Sequence, residues 1–180
     1  MSQASGGTRL THRKTTASAD APARAPRPRI RPSAPPEPES AHTADAWRNY
    51  LSEFLQSPAA NQIDEIRAGI PASTLLGAAA AMDVPRERFY ELVGLSISTA
   101  KRKLVRNELL DSAVSERLTA IGAIDRLAEQ VFGAAGLASD WLQTPNAGLG
   151  QVTPLSMLDT EIGRREVARL LNAIAYGAAA

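Results

Sequence analysis

Residues 112–132 carry the longest helical pattern in the chain, and this pattern restricts the fold more than any other feature. Apolar side chains recur there every three or four residues, which places them on one face of an α-helix; they are Val114, Leu118, Ile121, Ile124, Ala128 and Val131. Such a helix spans about 30 Å, the width of a small domain, so we expect it to connect the parts of the protein. No segment shows the two-residue alternation of a β-strand. The sequence therefore predicts an all-α fold.

Shorter helices are predicted before the long one. The first is indicated by apolar residues at helical spacing, with Asp45 as its N-cap and Ser57-Pro58 at its end; these residues are Trp47, Tyr50, Leu51, Phe54 and Leu55. A second helix is expected to start after Ser73 and to reach about Met82. An aromatic stripe of this kind is typical of a core, so we expect the first helix to cover the domain that follows.

Residues 1–44 differ in composition from the rest of the chain. They hold seven of the 12 prolines, seven Lys/Arg against three Asp/Glu, and no aromatic residue. Such a segment cannot bury enough apolar surface to offset the entropy of ordering it, so it is predicted to be a disordered, basic, Pro-rich tail. Two roles remain open for it: a solubilising extension, or a basic arm that adds non-specific phosphate contacts.

Residues 85–106 have the spacing of a helix-turn-helix. Pro85 suits the first turn of a helix that ends at Val93, Gly94-Leu95-Ser96 form a tight turn, and Ser96 can cap the next helix. The inward stripe of this second helix is predicted to be Ile97, Ala100 and Leu104. In such a motif the second helix presents its outward side chains to the major groove of DNA.

The outward face of that second helix is polar and basic. Its side chains can reach base edges or phosphates, so DNA contact is predicted for Ser96, Ser98, Thr99, Lys101, Arg102, Lys103 and Arg106. The alternative is the solvated face of an ordinary exposed helix. The tight turn, the small Ala100 and the concentration of positive charge favour DNA binding.

The last segment, 141–177, ends in the cleanest amphipathic helix of the chain. Its apolar stripe is Val167, Leu170, Leu171 and Ile174, Asp159 or Thr160 can cap its start, and Gly177 can end it. A loop rich in Pro and Gly precedes it. Such a helix either docks on its own domain or lies in the groove of a partner. We expect the stripe to serve the core in part, and the polar and C-terminal residues to be available for contact.

The residue types limit the chemistry. There is no Cys, and the only histidines, His12 and His42, lie in the tail, so residues 45–180 lack the commonest general base and metal ligand. We therefore predict a protein that is not an enzyme, with no catalytic residue, no metal site and no cofactor. The longest apolar run, 75–82, is too short to cross a bilayer, and the N-terminus lacks the apolar core of a secretory signal. A soluble, cytoplasmic protein is expected.

Specific motifs then point to a family. In the C-terminal segment these are Trp141-Leu142, Thr144-Pro145-Asn146, Leu149-Gly150, Thr153-Pro154-Leu155, Leu158-Asp159-Thr160-Glu161, Gly163, Val167, Leu171, Ile174 and Tyr176-Gly177. With them the segment resembles the toxin-binding domain of Xre/MbcA/ParS antitoxins. Residues 66–132 are similar to the Xre-like helix-turn-helix half of the same family, through Gly94-Leu95-Ser96, Thr99 and Ser115-Glu116-Arg117-Leu118. The chain departs from the family pattern at Ala175, where an acidic residue is usual, and at Ile97 and Ser98, where arginines are frequent.

The resemblance implies an antitoxin of a type II toxin–antitoxin system. Its partner would be a RES-domain toxin that degrades NAD⁺, and the antitoxin would cover the active site of that toxin. It would also bind and repress its own promoter, and a homodimer is expected because one small helix-turn-helix covers only a half-site. Residues 45–120 would form the DNA-binding domain and residues 121–180 the toxin-binding domain.

Toxin contact is assigned to Asn146, Arg164, Arg165, Leu171, Ile174, Tyr176, Gly177, Ala178, Ala179 and Ala180. The alternative function is a stand-alone helix-turn-helix transcriptional regulator whose C-terminal half only dimerises.

Overall fold

The computed structural model describes residues 38–177, with side chains from residue 41 onward. Of the predicted disordered tail, residues 1–44, the first 37 lie outside the described residues, as do the predicted contacts of Ala178, Ala179 and Ala180. Residues 38–44 are helical, so for them the prediction of disorder is wrong. Within 38–177 all regular structure is helical, which confirms the predicted all-α class. The helices are α1 Pro38–Gln56, α2 Ala59–Ala68, α3 Thr74–Ala81, α4 Arg86–Leu92, α5 Ile97–Val105, α6 Ser112–Phe132, α7 Ala135–Gln143, α8 Pro154–Met157 and α9 Glu161–Ala175, with a 3₁₀ turn at Ala147–Leu149. No helix of this part of the chain is long and apolar enough to cross a membrane.

Helix α6 is the central element, and its predicted bounds are confirmed. Asp111 caps its start, because its Oδ1 accepts a hydrogen bond from the Val114 amide at 3.0 Å. Gly133 ends it in the left-handed conformation, with φ of 77°. Five helices pack against it: α1, α2, α3, α7 and α9. The long helix therefore provides one wall of the core to both halves of the chain.

Helix α1 begins at Pro38, so the predicted start at Asp45 is wrong. Trp47, Leu51 and Phe54 of the predicted stripe are buried, as expected, and so is Ala44, whereas Leu55 at the end of the stripe is exposed. Two glycines let α1 approach its neighbours closely. A Cβ atom at Gly77 of α3 would lie 2.8 Å from the Cβ of Trp47, and one at Gly122 of α6 would lie 2.7 Å from its indole ring. Because α1 is held by this packing, it extends beyond the polar Asp45 that suggested a cap.

Helix α2 was not predicted from the sequence. None of its ten residues is buried, and Ile63 and Ile66 are its only large apolar side chains. It is held against α1 by Tyr50, whose hydroxyl donates a 2.8 Å hydrogen bond to Glu65. Burial and this carboxylate raise the pKa of Tyr50 above its usual value, so the phenol stays protonated as a donor. A helix with so narrow an apolar face carries little periodic signal.

A buried carboxylate, Asp125, lies on α6 within a charged cluster. Next to it, Arg48 of α1 contacts Glu129 at 3.0 Å and donates to the carbonyl of Ala81, and Arg126 contacts Glu129 at 3.1 Å. Burial, and then the negative charge of Glu129, raise the pKa of Asp125 to about 7, an effect that the two arginines partly offset. At a pH between these two pKa values, about 4 and about 7, the native state therefore keeps a proton at Asp125 that the unfolded chain has lost.

This proton gives a test of stability with Asp125→Asn. Between the unfolded pKa of about 4 and the folded pKa of about 7, the folded state binds more protons, so the contribution of Asp125 to stability falls as pH rises. The neutral variant should exceed the wild type in free energy of unfolding by about 1–4 kcal/mol above pH 7, and the gap should narrow toward pH 4. Urea denaturation across this range measures it. A gap that does not change with pH would contradict the assignment.

Candidate functional site

The turn between α4 and α5 has the geometry of a helix-turn-helix. Gly94 has φ of +80°, and the amide of Leu95 donates a 2.8 Å hydrogen bond to the carbonyl of Tyr90. Arg117 of α6 reaches under the turn and donates to the carbonyl of Val93 at 2.7 Å. A Cβ atom at Gly94 would collide with the Arg117 guanidinium. Glycine is therefore required both for the conformation and for the close approach of the arginine.

Ser96 caps α5 as predicted. Its Oγ accepts a hydrogen bond from the Thr99 amide at 3.2 Å and lies 2.9 Å from the Thr99 hydroxyl and 3.2 Å from that of Ser98. The three hydroxyls thus form one network at the start of the helix. Ser98 is exposed and Thr99 half-buried. Ser96 organises the helix start, and Ser98 presents a hydroxyl to solvent.

The inward stripe of α5 is only partly as predicted. Ala100 is buried and Leu104 half-buried, but Ile97 is 36% exposed, so its inward assignment is wrong. The reason lies in its position. Leu95, at the end of the turn, is already buried in the core, and Ile97 is the first residue of a helix whose one buried residue is Ala100. Ile97 therefore joins the outer surface near Ser98.

The basic residues of α5, and Arg106 directly after it, all lie near carboxylates. Lys101 is 3.7 Å from Glu87 of α4, while Arg102, Lys103 and Arg106 lie 3.4, 3.8 and 3.7 Å from Glu108. Glu108 follows the helix, so the helical pattern of α5 did not reveal it.

Lys103 differs from the other three cations. Its side chain is only 15% exposed, and its Nζ donates a 2.7 Å hydrogen bond to the carbonyl of Leu109. Its predicted role as a DNA contact is therefore weaker than its structural role in fixing the segment after α5. Val105 and Leu109 are exposed apolar residues on the same segment that the sequence did not single out.

The role of Lys103 can be tested by stability. Lys103→Ala should lower the free energy of unfolding by about 0.5–1.5 kcal/mol, because its hydrogen bond to a backbone carbonyl is removed. Arg106→Ala is the matched control. Arg106 is another partner of Glu108, but its side chain is 65% exposed. Its removal should therefore change the free energy of unfolding by less than about 0.5 kcal/mol. Equal decreases in denaturant titrations of the two variants would show that Lys103 has no special structural role.

The loop before α9 is shaped by local hydrogen bonds. Asn146 is half-buried. Its side-chain Oδ1 accepts a hydrogen bond from the Gly148 amide at 2.8 Å, and its backbone amide donates to the carbonyl of Val152 at 3.0 Å. Thr160 caps α9 by accepting from the Gly163 amide at 3.0 Å, which selects it over Asp159. The side chain of Asn146 is thus engaged in its own loop, although the sequence pattern assigned it to a partner.

The predicted stripe of α9 is buried at Val167, Leu170 and Leu171, whereas Ile174 is exposed. Leu171 has no accessible surface, so its assignment as a contact residue is wrong for this structure: it packs in the core. Arg164 also faces inward, and its Nη1 donates to the carbonyl of Leu158 at 2.8 Å. Burial lowers the pKa of Arg164, and the positive charge of nearby Arg117 lowers it further.

The opposite face of α9 points to solvent. It carries Arg165, which lies 3.9 Å from Glu161, and Tyr176, which is 86% exposed, followed by the exposed Gly177. Two further residues on this face were not singled out from the sequence: Ile162, 67% exposed, and Arg169. Residues 162, 165, 169 and 176 recur at close to helical spacing, so a search for an outward stripe could have found them. We call these four residues the outer face of α9.

Two family models match the chain, one for each half. An antitoxin Xre-like helix-turn-helix domain matches residues 62–121, and an antitoxin Xre/MbcA/ParS C-terminal toxin-binding domain matches residues 127–177. The first includes α4, α5 and their turn, and the second includes α9.

Relatives with known names cover much of the chain. The Prs ADP-ribosylating antitoxin of Sphingobium sp. is 31% identical over 138 residues, which is 72% of this chain and 86% of that protein. Antitoxin Xre of Pseudomonas putida is 36% identical over 83 residues, 46% of this chain and 52% of that one. Antitoxin Xre of Yersinia enterocolitica is 26% identical over 116 residues, 64% and 78% of the two chains. With its helix-turn-helix domain and its toxin-binding domain, the chain belongs to the Xre/MbcA/ParS family of antitoxins.

Proposed function

We propose that this antitoxin neutralises a RES-domain, NAD-degrading toxin by covering its active site, and that it represses its own promoter. The observation that carries the proposal is the union of a toxin-binding domain and an Xre-like helix-turn-helix in one chain. The name of the Sphingobium relative supports the NAD chemistry, because ADP-ribosylation consumes NAD⁺. On this proposal the chain acts by binding rather than by catalysis. Because its proposed partners are promoter DNA and a toxin that degrades NAD⁺, we expect it to act in the cytoplasm.

The outer face of α9 is the surface best suited to the toxin. An exposed tyrosine and arginines are the residue types that most often carry binding energy in protein interfaces. Tyr176 and Ile162 offer apolar area at the two ends of the helix, and Arg165 and Arg169 lie between them. A guanidinium is also well matched to a cleft that binds phosphates, as an NAD-consuming active site must.

The outward side of α5 is the surface proposed for DNA. Lys101, Arg102 and Arg106 are exposed, and Ser98 lies near the helix start, where a recognition helix contacts base edges. Their ion pairs, with the exposed Glu87 and the half-buried Glu108, are 3.4–3.7 Å long and each involves an exposed cation. They are therefore weak, so phosphates can replace these carboxylates.

DNA binding is tested with the double variant Lys101→Ala, Arg102→Ala. It should bind a duplex from its own promoter region more weakly, and the dependence of log affinity on log salt should flatten by about 0.9 for each phosphate that is no longer neutralised. Fluorescence anisotropy over a salt series measures both. The matched control, Arg165→Ala with Arg169→Ala, removes two positive charges from α9 and should bind DNA as the wild type does. An unchanged profile for the α5 variant would exclude this surface.

Toxin binding is tested by co-expression with the product of the neighbouring gene. We expect a stable complex in which the toxin is inactive, and Ile162→Ala with Arg165→Ala, or Tyr176→Ala alone, should weaken it about tenfold or more. Deletion of residues 174–180 should release toxin activity and leave DNA binding largely intact. The matched control is Ile63→Ala with Arg67→Ala, which truncates the same residue types on the exposed helix α2.

Two results would contradict the toxin proposal. Equal weakening by the α2 control would show that the outer face of α9 is not the contact surface. A chain with no RES-like neighbour and no co-purifying partner would instead favour the second candidate, a stand-alone transcriptional regulator whose C-terminal half only dimerises. The exposed Tyr176 and Ile162 are the observation that keeps this second candidate in view, since a second copy could cover them. In both cases we expect a homodimer, because two-fold symmetry doubles the DNA contacts.

A further inference from the structure

We propose that Glu108 limits the affinity of the α5 surface for DNA by holding Arg102 and Arg106 in competition with phosphate, while also lying near the structural Lys103. This inference rests on the DNA-binding function proposed above. It assigns to Glu108 the role of a positioning residue, one that acts through the basic side chains rather than by touching DNA.

The geometry of the cluster places one carboxylate among three cations. Oε1 of Glu108 lies 3.4 Å from Nη1 of Arg102 and 3.7 Å from Nη1 of Arg106. Oε2 lies 3.8 Å from Nζ of Lys103. Both oxygens are thus engaged, and the three cations come from the second half of α5 and the residue that ends it. Such convergence on one carboxylate occurs nowhere else among the ion pairs of residues 41–177.

The backbone fixes Glu108 at this place. Asn107 turns the chain out of α5 with φ of +50°, a conformation that asparagine tolerates better than most residues. The Glu108 amide then donates to the carbonyl of Lys103 at 2.9 Å, and the Glu108 carbonyl accepts from the amide of Ala72 at 3.0 Å. None of these bonds involves the carboxylate, so its charge can be removed without disturbing the turn.

The ion pairs of Glu108 are weak enough for DNA phosphates to compete with its carboxylate for the cations. The Glu108 side chain is about one third exposed, and exposed pairs each change an equilibrium by a factor of only about two to five. DNA phosphates can therefore displace the carboxylate, but its negative charge remains beside them. Glu108 reduces the charge of the four-residue cluster from three positive charges to two, and binding driven by phosphate neutralisation weakens accordingly.

The alternative effect, that Glu108 aids binding by ordering the cations, is opposed by the structure. Lys103 is already held by its hydrogen bond to the Leu109 carbonyl, and the other two side chains are at least half exposed. Ordering two exposed arginines at a carboxylate also aims them at that carboxylate. Removing the carboxylate should therefore favour DNA binding: the lost repulsion between Glu108 and the phosphates outweighs the lost ordering of the two arginines.

The experiment compares the full-length wild type with Glu108→Gln, an isosteric change that keeps the backbone bonds. The probes are a duplex from its own promoter region and a duplex of unrelated sequence, each about three helical turns long. Glu108→Gln should bind both duplexes about three to ten times more tightly at low salt, and the advantage should shrink as salt rises. The slope of log affinity against log salt should steepen by up to about 0.9 for each additional phosphate engaged.

The matched control is Glu166→Gln. Glu166 pairs with Arg169 on α9 at 3.0 Å, so this variant changes the net charge of the chain equally but away from α5. It should bind both duplexes as the wild type does. If Glu108→Gln binds no more tightly than this control while its thermal unfolding stays normal, the inference is wrong, although DNA binding itself stands. If the wild type and all variants fail to bind either duplex, the proposed DNA-binding function is wrong, and the role of Glu108 falls with it.

Discussion

The shared wall provided by α6 is the constraint on which the rest of the structure depends. Helices α1, α2 and α3 from the half that carries the helix-turn-helix pack against this one helix, and so do α7 and α9 from the C-terminal half. Its small residues make this possible, since Gly122 admits the ring of Trp47 from α1, and Ala128 is fully buried. The predicted boundary at residue 120 falls within this continuous helix. The two functional halves are therefore parts of one packed body that share a core element.

Local signals were sufficient to predict those elements whose ends are fixed by their own residues. The cap at Asp111, the left-handed Gly133, and the Ser96 hydroxyl that holds the Thr99 amide are all short-range interactions, and they set the bounds of α6 and the start of α5. Where tertiary packing determines an element or its ends, prediction from the sequence was wrong or incomplete. Helix α2 has no buried residue that would mark its period, and α1 runs past Asp45 because α3 and α6 support it.

The candidate surfaces were predicted less completely, for the same physical reason. Helical periodicity identifies which side of α5 or α9 is apolar, but it does not show where the core ends. Ile97 and Ile174 continue the apolar period, yet both are exposed, because each lies at an end of its helix. Periodicity is equally silent on partners from other segments. From the sequence, Arg164 was predicted to be available for toxin contact, whereas in the structure it donates a hydrogen bond to the carbonyl of Leu158.

Two arginines, Arg117 and Arg164, have structural roles where elements of the two halves lie close together. Arg117 of α6 fixes the turn before α5, and it lies close enough to Arg164 of α9 to lower the pKa of that group. Each guanidinium donates a hydrogen bond to a backbone carbonyl, that of Val93 in one case and that of Leu158 in the other. Both side chains are half-buried and bonded to the backbone, so they are poorer candidates for contact with a partner than exposed cations are. The cations that we propose for DNA and toxin are instead exposed and held by weak ion pairs, on α5 at one site and on the outer face of α9 at the other. Among residues 41–177, partial burial and a hydrogen bond to the backbone thus distinguish these two structural arginines from the cations that we propose to bind a partner.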